Sequence, residues 1–179
     1  MSEERLIRRD RMRFTKNTAS SRLALLAILL NVLFFVSIYK VNNSAYYKWL
    51  IGVSILYNLV FMLAAFLASE GAKNYNNKYS FLMIGLGIGQ IVRIFVYPAI
   101  MHVMHYSDTV ITYKPKRRGG GMQEVIEKID KIVMPPDQFT RVVIYLSLSA
   151  LCLLAAAAIN WYKCRELQAH TAASDIKQA

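Results

Sequence analysis

The sequence predicts an all-α integral membrane protein, four transmembrane helices in an up-down bundle with a short amphipathic helix in the third loop. Three observations carry this. Of 179 residues, 55% are hydrophobic, and they cluster in four blocks of about 17 to 24 residues with few charges inside, the length that about 30 Å of hydrocarbon requires. Lys and Arg outnumber Asp and Glu by 22 to 11, and most of that excess flanks the blocks, where anionic lipid rather than nucleic acid accounts for it. No P-loop, dinucleotide-binding glycine signature, nucleophile elbow or HExxH motif occurs, so no reaction is named.

Residues 1–22 form a basic N-terminal arm holding seven Lys and Arg. No small-residue cleavage site follows convincingly, so the arm reads as retained and cytoplasmic. The transmembrane domain spans 23–162. Its first span, 23–39, has Asn31 as its only strongly polar interior residue, and Ser20 and Ser21 stand where a helix cap would. The second, 49–69, carries Asn58 at its centre. A hydrogen bond from Asn58 to Asn31 or Gln90 would tie helices together.

The third span, 81–104, holds the most informative pattern. Gly85, Gly89 and Arg93 recur every four residues, with Tyr97 one step further, so a small-residue stripe leads to a cation near mid-membrane. A charge at that depth costs from about 2.5 to over 10 kcal/mol and should face protein, water or a lipid phosphate. The stripe reads either as plain helix packing or as a partner surface. Pro98 should bend or end this helix nearby.

The loop 105–140 reads as extracytoplasmic. Asp108 to Tyr113 suggests a short strand, and KPKRRGGG suggests a flexible tip. Met122 to Met134 then shows helical periodicity at Val125, Ile126, Ile129, Ile132 and Val133, with Glu124/Lys128 and Glu127/Lys131 spaced for i, i+4 pairs. Such a helix could lie on the headgroups, cover the bundle mouth or dock on a partner. The fourth span, 142–162, is rich in Ser and Ala, and the cytoplasmic tail, 163–179, reads as disordered. His102, His105 and Asp108 would converge loosely on a metal only if the third helix continued; the expectation is no metal and no cofactor.

With both termini in the cytoplasm, the inner segments hold twelve Lys and Arg against nine outside, a modest agreement with the positive-inside rule led by the N-terminal arm. No Asp or Glu falls within these spans, which removes the usual residues of a proton relay. The expected function is non-enzymatic: a multi-pass plasma-membrane protein acting as an accessory or interaction subunit of a transport or export complex. It would contact anionic lipids at the cytoplasmic face and another membrane protein or itself. The alternative is a small oligomeric channel or carrier with a polar path lined by Arg93, Gln90 and Asn58.

Overall fold

The computed structural model describes residues 16–39, 48–115 and 122–178, with Glu3 and Ile7 of the arm. Four long helices are joined, between the third and fourth, by a β-hairpin: α1 Thr18–Tyr39, α2 Lys48–Lys73, α3 Lys78–Val103, β1 His105–Pro115, β2 Met122–Ile132 and α4 Pro136–Gln178. Each of the four helices is long and apolar enough to cross a membrane, over Thr18–Ile38, Gly52–Lys73, Lys78–Val103 and Pro136–Ala169. Their outward faces carry exposed Leu56, Leu63, Phe95 and Leu151, as contact with lipid requires.

Consecutive helices pack on one another and α1 closes against α4, with α2 and α3 the least engaged pair. One end of the bundle is filled by small side chains, Ala24, Ala68, Ala72, Ala156 and Ala157 around Met83. Without bulky side chains the backbones approach closely, and hydroxyls bridge the gap. Ser20 Oγ donates to Ala156 O at 2.7 Å, Ser149 Oγ to Ala27 O at 3.0 Å, and the Ser21 and Ser69 hydroxyls lie 2.7 Å apart. The opposite end packs larger groups, Phe34, Ile38, Tyr97, Met101 and Leu146, against Val133 and Met134 at the foot of the hairpin.

Several boundaries depart from the sequence reading. The helix α1 begins at Thr18, and Asn17 rather than Ser20 or Ser21 occupies its entrance, its Oδ1 accepting from Ser20 N at a long 3.5 Å. Asn17 also donates through Nδ2 to Asn160 Oδ1, whose own Nδ2 donates to Ser80 Oγ at 2.8 Å. These bonds bind α1, α3 and α4 at one end. Pro98 lies inside α3, which ends five residues further on at Val103, one residue short of the expected bound. The tail expected to be disordered is helical through Gln178; at 1.5 Å per residue the 43 residues of α4 extend about 64 Å, well past a bilayer core.

The largest correction lies in the third loop. Residues Met122–Ile132 form no helix; they pair antiparallel with His105–Pro115 over their whole length, Ile111 opposite Ile126 and Asp108 opposite Ile129. The expected strand at 108–113 falls inside β1. Ile126 and Ile132 share one face of the sheet and Ile129 the other, so the apolar stripe of the periodicity is split. The i, i+4 spacing makes close neighbours only on a helix, where successive turns stack; along a strand the same residues lie about 13 Å apart. Glu127 instead meets Lys114 across the sheet at 2.5 Å. Pairing with the β-branched run of β1 overrides helical spacing, because strand preference is decided by neighbours. Val133 continues the ladder, its N donating to Met104 O at 3.0 Å.

Candidate functional site

Arg93 of α3 is the centre of the one polar cage the spans build around a charge among the described residues. It is 7% exposed. Its Nη1 donates to Asn58 Oδ1 at 2.9 Å and Asn31 Oδ1 at 3.2 Å, and its Nη2 donates to Ser54 Oγ at 3.0 Å. The guanidinium carbon lies 4.2 Å from the Phe34 ring centre and 4.5 Å from that of Tyr57. By ordinary helical spacing α1 therefore supplies two residues, Asn31 and Phe34, and α2 supplies three, Ser54, Tyr57 and Asn58.

The amides lock this arrangement. Asn31 Nδ2 donates to Asn58 Oδ1 at 3.0 Å, Gln90 Nε2 donates to Asn31 Oδ1 at 3.1 Å, and Asn58 Nδ2 is held by Ser54 O at 2.8 Å. Hydrogen bonds to a charged group are worth about 1.5–3 kcal/mol each, and a desolvated cation–π contact up to about 2. Three such bonds and two rings offset much of the cost of burying the guanidinium. They do not neutralise it, since no Asp or Glu meets Arg93 among the described residues.

The cage opens sideways. A cleft of about 260 Å³ between α2 and α3 is walled by Val53, Val92, Val96, Ile100 and Met101, with Ser54, Tyr57, Gly89, Arg93 and Tyr97 also at its surface. Gly89 leaves room there for the Tyr57 hydroxyl, since a Cβ would lie 3.3 Å from it and the ring would have to give by a few tenths of an ångström. The buried Tyr97 Oη has no hydrogen-bond partner among the described residues, and neither does Gln90 Oε1. Of the five guanidinium N–H groups, three are used.

The structure thus brings together Asn31, Asn58, Gln90 and Arg93, with Gly89 and Tyr97 beside them, and separates Gly85. That glycine is exposed with nothing within 4 Å of its Cβ position. Close helix packing falls on Gly87 instead, where a Cβ would lie 3.0 Å from Leu154 Cγ. Phe34 and Ser54 were not legible as Arg93 partners, although the i, i+4 spacing of Ser54 and Asn58 was a usable signal. The loop residues Val125, Ile126, Ile129 and Ile132 belong to β2, away from this cage, and Val133 is buried at its foot. The weak metal candidates do not converge either. The α3 helix stops at Val103, His102 Nδ1 lies 3.1 Å from Met134 O with its ring stacked on Phe139, and His105 and Asp108 stand in β1. Among the described residues no cluster of three His, Cys, Asp or Glu could hold a metal. Comparison with protein-family models, curated proteins and solved structures finds no match for this chain.

Proposed function

We propose that this chain is a non-enzymatic accessory or interaction subunit of a transport or export complex in the plasma membrane. Its helices alternate in direction, both termini lie in the cytoplasm beside anionic lipid, and the hairpin stands outside. The observation that carries the reading is Arg93, caged among the described residues by neutral groups only and placed at the surface of a cleft that opens between α2 and α3. A cation held in low dielectric without a counter-charge is a standing attraction for an anionic group of another membrane component.

Gentle-detergent purification of the tagged full-length chain, followed by mass spectrometry, tests this beside an Arg93→Leu version of matched gel-filtration profile. A specific partner present with the wild type and lost with the variant is the expected result. Equal recovery from both chains would sink the reading. The channel alternative draws less support, because Asn31, Gln90 and Asn58 are buried and bonded to one another rather than facing an open lumen.

A further inference from the structure

The cleft beside Arg93 also carries information about the chemistry of its occupant. We infer that it receives an Asp or Glu side chain presented near mid-membrane by a transmembrane helix of a different protein, which lies along the seam between α2 and α3. This rests on the interaction-subunit reading and specifies its partner.

Depth gives the first argument. Arg93 stands ten residues from Val103 and fifteen from Lys78 along α3, or about 15 and 22 Å at 1.5 Å per residue. Lipid phosphates lie at the edges of the hydrocarbon, about 15 Å from its centre, so a phospholipid headgroup would have to descend deep into the core. A side chain on a crossing helix is already at that level. A small anion from water would have to shed its hydration shell past Val53, Val96, Ile100 and Met101.

Charge gives the second. The cage satisfies three N–H groups of Arg93 and leaves two, and the Tyr97 hydroxyl, beside Ser54 in the same wall, makes no hydrogen bond within 3.5 Å among the described residues. These donors suit a carboxylate, which accepts through two oxygens and pairs readily with a guanidinium. A second copy of this chain does not fit, because among the described residues its carboxylates in the spans, Glu70, Asp137 and Glu166, lie toward the span ends and none stands at the depth of Arg93. The occupant is therefore a different protein. Val92 and Val96, more than half exposed on the rim, provide the apolar surface on which its helix would rest.

Photocrosslinking in native membranes tests the inference, with p-benzoylphenylalanine at the position of Val96 and, as a control on the outer face of α4, of Leu151. The expected adduct forms at the Val96 position and not at the control, and its partner peptide comes from an apolar span with an Asp or Glu within one turn of the linked residue. Arg93→Asp should reduce that adduct at least about thirtyfold, and replacing the partner's acid by Arg should restore it. A lipid-sized adduct, a link to a second copy, a partner span without an acid, no adduct, or failure of the charge exchange to restore it would each overturn the inference. The mapping uses a chain with Arg93 intact, so it does not depend on how well Arg93→Asp folds. If a partner is lost with Arg93→Leu yet is linked through a span lacking an acid, the carboxylate assignment falls and the interaction-subunit reading stands. If no partner depends on Arg93, both fall.

Discussion

The polar residues around Arg93 act as one unit, and Asn31 is its keystone. Its Oδ1 accepts from both Gln90 and Arg93, and its Nδ2 reaches Asn58. Truncating it removes the acceptor of Gln90 Nε2 and one of the two acceptors of Arg93 Nη1, and each buried group left unpaired costs about 1–3 kcal/mol. Asn31→Ala should therefore lower the thermal unfolding midpoint in detergent clearly more than Ser37→Ala, whose hydroxyl only returns to Leu33 O of its own helix. Equal midpoints would show that the cage contributes nothing to stability. Asn31, Asn58, Gln90 and Arg93 stand out in the sequence because strongly polar groups are expensive in an apolar span and must meet something. Phe34 and Ser54 do not stand out, since aromatic and hydroxyl side chains are ordinary in such spans. Their role follows from how each helix is rotated about its axis.

Among the elements, the hairpin is where local pattern and tertiary pairing disagree. The spacing of Val125, Ile126, Ile129 and Ile132 describes a helix in isolation, yet the inward-facing backbone groups of β1 and β2 pair in an eleven-residue ladder instead. The register makes this testable. In a chain with Cys152 and Cys164 replaced by Ala, the pair Ile111→Cys with Ile126→Cys should oxidise readily, because directly opposed Cβ atoms lie about 4.5–5.5 Å apart. The pair Ile111→Cys with Glu127→Cys should not, since successive strand residues point to opposite faces. The reverse result on a non-reducing gel would mean that the hairpin pairs one residue out of this register. The small-residue stripe is a second case. The motif in α3 was visible, but the helix α4 that it packs against selects Gly87 over Gly85, and no spacing rule within α3 could have chosen between them.

For the molecule as a whole, charge and hydropathy act together. The proposed orientation puts the hairpin outside the cell, so Ile126→Cys in the same cysteine-free chain should react with a membrane-impermeant maleimide in intact cells. Protection there, with labelling only after lysis, would invert the topology, which would be consistent with the KPKRR run that opposes the positive-inside rule. Length, composition and block spacing by themselves determined that this chain forms four helices long and apolar enough to cross a bilayer, because hydropathy is a local quantity summed along a segment. They also marked a mid-span cation with neutral partners as the residue to explain. Only the tertiary structure decided which polar atoms hold that cation, that a cleft opens beside it between α2 and α3, and that residues 122–132 pair as a strand. Those outcomes depend on helix rotation and on contacts between segments far apart in the chain, and the energies that choose among them belong to pairs of segments rather than to either one alone.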